Sequence, residues 1–159
     1  AKRLSGFECR VVVFDPYVDA KEIEAHGVDV ADSLESLLEA SDFVSLHMRI
    51  SSDTHHMIDA EALRRMKPTA YLVNTARADL VDEEALVDAL RDHRIGGAAI
   101  DVYAEEPIGT DHPYLSLDNV TLVSHLAGTS ADTMQTSVEI GFEDLEAYLK
   151  GEELINRRA

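Results

Sequence analysis

The sequence predicts an α/β fold, with a doubly wound parallel sheet and helices on both faces of the sheet. Short apolar, β-prone runs alternate with amphipathic stretches along the 159 residues. This alternation favours parallel pairing, because each helix carries the chain back to the edge where the previous strand began. The hydrophobic content of 45% is sufficient for the core of one domain. No apolar run approaches the roughly 18–20 residues needed to cross a bilayer.

The first half of the chain contains three predicted strands and two predicted helices. In chain order they are strand 9–15, helix 18–27, strand 28–30, helix 33–41 and strand 42–48. Gly27 follows the first helical pattern, as glycine commonly does at helix ends. Ser33 is a candidate N-cap of the second helix, in which Ser36 faces away from the leucines.

The second half contains three more strands and three more helices. In chain order they are helix 59–66, strand 69–75, helix 82–93, strand 95–102, strand 119–125 and helix 130–151. Pro68 ends the first of these helices. Ala85, Leu86 and Leu90 share one face of the next helix, which predicts that this face is buried. Gly151 ends the last helix.

The charge balance is strongly acidic. There are 31 acidic and 14 basic residues, and the formal net charge is −17. Such a surface repels nucleic acid and anionic membranes, so neither is an expected partner. Because few of the basic residues are lysines, we hypothesise a halophilic protein, with an ordinary acidic enzyme as the alternative. The start of the sequence lacks the apolar stretch of a secretion signal, and the single Cys9 excludes an internal disulfide. These features favour a cytoplasmic location.

Asp15 is the first candidate functional residue, because it ends a predicted strand. In dinucleotide-binding folds, an acid at this place binds a ribose diol and disfavours a 2′-phosphate, so NAD is preferred over NADP. The alternative is a simple turn-forming aspartate. The glycine-rich turn that should precede this acid is absent, since only Gly6 lies upstream. The prediction is therefore either a different fold or a Rossmann-like sheet that is truncated at its N-terminus.

Three polar residues follow three of the predicted strands: Arg77, Glu106 and His125. Because the carboxyl ends of parallel strands lie at one edge, these side chains are expected to converge. An arginine can clamp a carboxylate, a histidine can transfer a hydroxyl proton, and a carboxylate can raise the pKa of that histidine and orient it. Taken singly, each residue also has a structural alternative: Arg77 as the cap of a helix C-terminus, Glu106 as a solvated loop residue, and His125 as a core histidine.

The other histidines give weaker signals. Adjacent His55 and His56 suggest a metal site, but side chains of adjacent residues usually diverge, so no metal is predicted. His26, His93 and His112 fall at helix ends or in loops and are predicted to be solvated.

Several segments, in order, resemble the D-isomer-specific 2-hydroxyacid dehydrogenases, the family of phosphoglycerate dehydrogenase and D-lactate dehydrogenase. The matching segments are VFDPY at 13–17, SDFVSLHM at 41–48, YLVNTARADLVDEEALVDAL at 71–90, GGAAIDVYAEEP at 96–107 and VTLVSHLAGTS at 121–130. The resemblance implies an NAD-dependent oxidoreductase that interconverts a D-2-hydroxy acid and a 2-keto acid by hydride transfer, and that forms a homodimer.

The resemblance also implies a role for individual residues. Arg77 would bind the substrate carboxylate, and His125 would act as the acid/base, tuned by Glu106. Residues implied to hold NAD are Asp15 at the ribose, His47 and Met48 in the cleft, Thr75, Ala76 and Arg77 near the nicotinamide, Asp101 at the carboxamide, and His125, Ala127 and Gly128 beside it. The glycine-rich loop and the substrate domain of the family are absent, so residues 1–159 correspond to the C-terminal part of the NAD-binding domain. We expect this part alone to be inactive.

Two departures from the family pattern concern charge. Arg49 lies where the family usually has a proline and a threonine, and Asp79 lies where it mostly has a small residue. A carboxylate near Arg77 disfavours a large anionic substrate. The main alternative function is a non-catalytic, NAD(H)-sensing corepressor of the same fold. Formate dehydrogenase would require glutamine in place of Glu106, and a flavodoxin-like receiver would leave the three converging residues unexplained.

Overall fold

The computed structural model describes residues 3–154 and divides the chain into two compact units, Ala1–Val123 and Ser124–Ala159. The helices and strands, in chain order, are β1 Val12–Val13, α1 Ala20–Glu24, β2 Asp29–Val30, α2 Leu34–Ala40, β3 Phe43–Leu46, α3 Ala60–Arg65, β4 Tyr71–Asn74, α4 Glu83–Arg91, β5 Gly97–Ile100, β6 Val120–Leu122 and α5 Ala131–Lys150. Every predicted helix and strand is present, but most are shorter than the sequence pattern. None of the described helices is both long and apolar enough to span a membrane.

Short polar side chains begin the helices, as the sequence predicts for α2. Ser33 caps α2, and its hydroxyl accepts the main-chain N–H of Ser36 while the Ser36 hydroxyl accepts that of Ser33. Asp59 accepts two main-chain N–H groups at the start of α3. The Asp82 carboxylate accepts the main-chain N–H of Ala85 at the start of α4. These bonds satisfy N–H groups that have no partner inside the helix, and each helix start is therefore defined locally.

The strands form two parallel sheets. β1 pairs with β2, and the second sheet has the order β3-β4-β5-β6. The register aligns Phe43 with Tyr71 and Gly97, so the first residues of three neighbouring strands lie in one row. All four strands of the second sheet run in the same direction. Their carboxyl ends consequently lie along one edge, as the sequence predicts.

Helices α2, α3 and α4 pack on one face of the four-stranded sheet. The fully buried side chains there include Leu38, Leu63, Leu72, Leu86 and Leu90. These residues combine helix and strand positions, which shows that the amphipathic faces predicted from the sequence meet the sheet. The parallel α/β class is thus confirmed, and the core lies between this sheet and its three helices.

The opposite face of the same sheet carries exposed aromatic side chains. Phe43 is 71% exposed and Tyr71 is 44% exposed, and their rings stack with centroids 5.6 Å apart. Parallel strands are normally apolar on both sides because both sides are covered. The predicted second helical layer does not cover these two residues in the described part of the chain.

Tyr71 can lie flat on this face because Gly97, in the same row, has no side chain. A Cβ at Gly97 would lie 2.5 Å from the main-chain oxygen of Asn119 and 2.8 Å from a ring carbon of Tyr71. The Asn119 oxygen accepts the N–H of Ala98, a bond that pairs β5 with the chain entering β6. Glycine is therefore required here by close packing and not by an unusual backbone angle.

The second unit contains α5. Ser130 caps its start by accepting the main-chain N–H of Thr133. Gly151 ends the helix in the left-handed conformation, with φ of 72°. Both ends agree with the sequence prediction, because serine favours the first position and glycine adopts positive φ without a steric penalty.

We expect Gly97→Ala to destabilise the protein by about 1–3 kcal/mol, the range for overpacking a tightly packed site. The matched control is Gly141→Ala in α5, where a Cβ meets no atom within 4 Å. Gly141→Ala should stabilise the protein by about 1 kcal/mol, because alanine has a higher helix propensity than glycine. The midpoint of thermal unfolding measures both changes, and an unchanged midpoint for Gly97→Ala would contradict the packing argument.

Candidate active site

The carboxyl ends of β3, β4 and β5 bring several of the predicted site residues to one edge of the sheet. His47 and Met48 follow β3, Thr75 to Arg77 follow β4, and Asp101 follows β5. The main-chain N–H of Asp101 donates to the Asn74 oxygen at 3.0 Å, which joins the ends of β4 and β5 directly. The sheet therefore places the Arg77 loop next to Asp101.

Asn74 holds the loop that carries Arg77. It is the last residue of β4 and is only 2% exposed. Its side-chain nitrogen donates to the main-chain oxygen of Arg77 at 2.8 Å, and its side-chain oxygen accepts the N–H of Ala76 at 3.1 Å. A buried amide with both ends bonded is rigid, because breaking either bond would leave a polar group without water or a partner. The backbone from Asn74 to Arg77 is consequently well ordered.

The side chain of Arg77 is exposed, so the cost of burying a cation does not apply to it. One guanidinium nitrogen donates to the Ala76 main-chain oxygen at 2.6 Å. Within residues 3–154, no carboxylate forms an ion pair with Arg77, and Asp79 is no exception. The Ala76 oxygen that accepts this bond belongs to a loop and not to the last turn of a helix. The alternative that Arg77 caps a helix C-terminus is therefore wrong. Arg77 retains donors for an external anion.

Glu106 lies in the loop after β5 and is also exposed. One of its carboxylate oxygens accepts the main-chain N–H of Tyr103 at 3.0 Å. A charge-assisted bond of this kind restricts the side chain, and Glu106 is thus more ordered than a freely solvated loop residue.

His125 belongs to the second unit, together with Ala127 and Gly128. Its side chain is exposed, so the alternative of a core histidine is wrong. Its backbone is left-handed, with φ of 56°, a conformation that is uncommon for a residue with a Cβ. His56 and His93 share this conformation, so it does not distinguish His125. A Cβ at Gly128 would meet no atom within 4 Å, which leaves the backbone at Gly128 open to a ligand.

Asp15 follows β1 and is exposed. One carboxylate oxygen accepts the main-chain N–H of Tyr17 at 2.9 Å, which is the turn-forming role considered as the alternative. A carboxylate accepts several hydrogen bonds, so this turn is compatible with binding a ribose hydroxyl as well.

Other predicted cofactor residues differ in burial. Asp101 is 3% exposed, whereas Thr75 is exposed and Ala76 is half-buried. His47 is exposed, and its ring nitrogen lies 2.9 Å from the Ser45 hydroxyl. Met48 is half-buried and packs against the core.

Two predictions for the remaining histidines are wrong. The rings of His55 and His56 do not diverge but stack with centroids 3.9 Å apart. His112 is not solvated, because its ring packs against Tyr114 and one nitrogen lies 3.5 Å from the Glu83 carboxylate. Within residues 3–154, no group of three or more His, Cys, Asp or Glu side chains is arranged to hold a metal ion.

A cavity of about 350 Å³ lies beneath the Arg77 loop, between β4, β5 and the start of α4. Neither Arg77 nor Glu106 lines it. Four carboxylates do, namely Asp79, Asp82, Glu83 and Glu84. These four acidic residues disfavour an organic acid in the cavity.

Sequence reasoning missed two residues that organise the site, Asn74 and Tyr103. Asn74 could have been found, because an asparagine that ends a buried strand is expected to bond nearby main chain. The bonds of Tyr103 depend on how β5 and β6 pair, and no local pattern indicates them.

Residues 1–127 match the family model of the D-isomer specific 2-hydroxyacid dehydrogenase, NAD binding domain. Similar curated proteins include a glyoxylate reductase of Thermofilum pendens, 43% identical over 96% of this chain and 45% of that protein. A D-3-phosphoglycerate dehydrogenase of Methanocaldococcus jannaschii is 36% identical over 95% of this chain and 29% of that protein. The chain therefore spans less than half the length of these relatives.

Solved structures agree in fold. D-lactate dehydrogenase with NAD⁺ from Lactobacillus jensenii has a TM-score of 0.89 and 27% identity, over 100% of this chain and 51% of that one. An acyclic imino acid reductase in complex with NADPH and D-Arg has a TM-score of 0.87 and 29% identity, over 99% of this chain and 48% of that one. Together with the matched family model, which covers most of the chain, these similarities show that the chain belongs to the NAD-binding domain of the D-isomer-specific 2-hydroxyacid dehydrogenases.

Proposed function

We propose that the protein is an NAD-dependent oxidoreductase that interconverts a D-2-hydroxy acid and a 2-keto acid. The observation that carries this proposal is Arg77, an exposed cation without a carboxylate partner in residues 3–154, on a loop ordered by the buried Asn74. The loop lies at the carboxyl ends of parallel strands, where open α/β sheets bind ligands. The comparisons support the same class, since the similar curated proteins are reductases and dehydrogenases.

Arg77 binds the substrate carboxylate in this proposal. A guanidinium offers two parallel N–H donors that match the two oxygens of a carboxylate. Further donors can polarise the neighbouring carbonyl oxygen, where negative charge develops as the carbonyl is reduced. The bond from Arg77 to the Ala76 oxygen orients the guanidinium before the substrate arrives.

His125 transfers the proton, and Glu106 supports it. In reduction the protonated imidazole donates a proton to the carbonyl oxygen, and in oxidation the neutral imidazole removes the proton from the hydroxyl. A carboxylate beside an imidazole stabilises the charged form of the ring. NADH, when bound, would supply a hydride to C2 of the keto acid, and NAD⁺ would accept it in the reverse direction.

The residues present fit NAD. Asp15 would accept bonds from the adenosine ribose, and its charge would repel the additional phosphate of NADP. Asp101 would meet the carboxamide, with Thr75, Ala76 and Gly128 approaching the ring. His47, Met48 and Ala127 would line the remainder of the cleft. The open space at Gly128 supports close approach of a ligand.

We propose that residues 1–159 act together with a glycine-rich loop and a substrate domain that this sequence does not contain, and that they are inactive alone. Among residues 3–154, β1 pairs only with β2 and β3 pairs only with β4, which supports this division. The whole protein would be a cytoplasmic homodimer. The formal net charge of −17 on residues 1–159 supports the further proposal that the protein is adapted to high salt.

Replacing Arg77 tests the substrate role. In the full-length protein, Arg77→Ala should lower kcat/KM for 2-keto acids about a hundredfold or more, because two charge-assisted bonds of about 1.5–3 kcal/mol each are lost. The matched control is Arg91→Ala, which removes an exposed arginine whose pair with Asp88 contributes little. NADH oxidation against a panel of 2-keto acids measures both variants. Equal kcat/KM values of the two variants would reject the substrate role of Arg77, whereas tight NADH binding without turnover by the unmodified protein would reject the dehydrogenase.

Asp15→Asn tests the cofactor role with the turn preserved, because the amide oxygen of asparagine can still accept the Tyr17 N–H. Removing the charge should raise the ratio of kcat/KM for NADPH to that for NADH by about tenfold, since the repulsion of the additional phosphate is lost. Asp19→Asn, which changes an exposed helix cap in the same region, should leave the ratio unchanged. If this ratio is the same in Asp15→Asn as in the unmodified protein, Asp15 does not bind the adenosine ribose.

The salt dependence of turnover tests the adaptation to high salt. At 1 M salt the screening length is about 3 Å, so repulsion between surface carboxylates is largely removed. We expect NADH oxidation by the full-length protein to increase from low to multimolar salt. Maximal activity at low salt would identify an ordinary acidic enzyme.

A further inference from the structure

Arg49 is a second arginine at the edge of the sheet from which the Arg77 loop departs. Each of these arginines is the third residue after its strand, β3 for Arg49 and β4 for Arg77. The last residues of the two strands, Leu46 and Asn74, are paired in the parallel register. Because neighbouring strands lie about 4.8 Å apart, the loops that carry the two arginines start from adjacent points on one edge.

Arg49 has no carboxylate partner within residues 3–154, although its side chain is exposed. Acceptors are plentiful in this chain, which has 31 acidic and 14 basic residues. Four other arginines of the described part lie 3.0 Å or less from a carboxylate oxygen, namely Arg10, Arg64, Arg65 and Arg91. The lack of an ion pair at Arg49 therefore distinguishes it from most described arginines.

The position of Arg49 distinguishes it further. Arg3 and Arg94 also lack a carboxylate partner within the described residues, but they precede β1 and β5. Arg94 donates instead to the main-chain oxygen of Arg64. Among residues 3–154, only Arg49 and Arg77 both lack an ion pair and follow strands of the four-stranded sheet. They lie at the edge where open α/β sheets bind ligands.

Hydrogen bonds order the main chain at Arg49. The hydroxyl group of Thr54 donates to the Arg49 main-chain oxygen at 2.7 Å and accepts the N–H of Ser51 at 2.8 Å. The Ser51 main-chain oxygen accepts the N–H of His55 at 3.0 Å. Side-chain bonds of this kind replace the partners that the sheet no longer provides. The Arg49 side chain thus starts from an ordered turn.

The loop that carries Arg49 meets the loop that carries Arg77 a second time. The N–H of His56 donates to the main-chain oxygen of Asp79 at 2.7 Å, and Asp79 is two residues after Arg77. The two loops are consequently joined both where the strands end and beyond the arginines. Both cations lie in one pair of adjoining loops.

Nearby carboxylates do not neutralise these two cations by ion pairing. Asp79, which the sequence suggests would disfavour a large anionic substrate, pairs with neither Arg49 nor Arg77 in the described part of the chain. Asp79 lines the acidic cavity, and neither arginine does. The carboxylate of Asp53 accepts the Ser52 hydroxyl at 3.2 Å. Both guanidinium groups thus retain donors for an external anion.

We propose that Arg49 is a specificity-determining residue that binds a second acidic group of the substrate, so that the preferred 2-keto acid is a dianion. This inference rests on the proposed function, in which Arg77 binds the carboxylate next to the keto group. Arg49 binds the acidic group at the other end of the substrate. An uncharged group in that place would form no charge-assisted bond with the second guanidinium. A terminal carboxylate and a terminal phosphate both have the required chemistry.

The test measures kcat/KM of the full-length protein with NADH for two matched pairs of 2-keto acids, at constant ionic strength. One pair is 2-oxoglutarate and 2-oxohexanoate, and the other is phosphohydroxypyruvate and hydroxypyruvate. The first acid of each pair carries the additional anionic group. Arg49→Gln removes the positive charge, and Arg49→Lys keeps it. The matched control, Arg91→Gln, removes an equal charge from an exposed arginine at the end of α4.

We expect the unmodified protein to prefer the dianion in at least one pair. Arg49→Gln should lower this preference, the ratio of the two kcat/KM values, about tenfold, because one charge-assisted bond at an exposed site is lost. Arg49→Lys should retain part of the preference, since an ammonium group attracts the anion but lacks the planar pair of donors. Arg91→Gln should leave the ratio unchanged, because it alters only the long-range field.

Three results would overturn the inference while the protein still reduces 2-keto acids. The first is the absence of a preference for either dianion. The second is an equal ratio in Arg49→Gln and Arg91→Gln. The third is a higher KM for NADH in Arg49→Gln with an unchanged ratio, which would assign Arg49 to the cofactor.

Failure of the proposed function has a different signature. If the unmodified protein turns over no 2-keto acid, the reaction is rejected, and binding then decides the role of Arg49. Calorimetric titration of the protein with NADH and the D-2-hydroxy acid that corresponds to each keto acid measures this binding. Tighter binding of a dianion that is lost in Arg49→Gln supports the inference, and equal affinities within both pairs overturn it.

Discussion

The parallel register of β3, β4, β5 and β6 is the constraint on which the candidate site depends. Main-chain hydrogen bonds align these strands in one direction, and every loop that leaves their carboxyl ends consequently starts from the same edge. Residues that are far apart in sequence, such as Asn74 and Asp101, become neighbours through this strand pairing. The core beneath this edge is apolar and buried, and it fixes the point at which each loop begins. The loops themselves carry the polar residues of the proposed site.

Hydrogen bonds to the main chain then order these loops. Asn74 bonds both sides of the turn that leads to Arg77, and Tyr103 closes the exits of β5 and β6. In both cases a side chain supplies partners that the sheet can no longer provide, because the strands have ended. The proposed catalytic residues are exposed, whereas Asn74 is buried and Tyr103 is half-buried.

Charge has two separate effects in this molecule. Over the whole surface the excess of carboxylates is large, and it acts on solubility and on salt dependence more than on the fold. Near the proposed site, Arg77 has no carboxylate partner among residues 3–154, and four acidic residues line the neighbouring cavity. The proposed binding of an anionic substrate by Arg77 therefore depends on this local arrangement of charge, which the net charge alone does not describe.

The sequence by itself determined the α/β class, the order of the helices and strands, and helix limits such as Ser33 and Gly151, because these features depend on local hydrophobic period and capping. It also indicated Arg77, Glu106 and His125 as strand-end residues. Only the tertiary structure decided their surroundings. The exposure of Arg77, the half-burial of His112 and the bond of Tyr103 to Val123 depend on which segments meet in the fold, whereas the stacking of His55 on His56 depends on the local backbone angles. No local sequence pattern specifies either kind of contact.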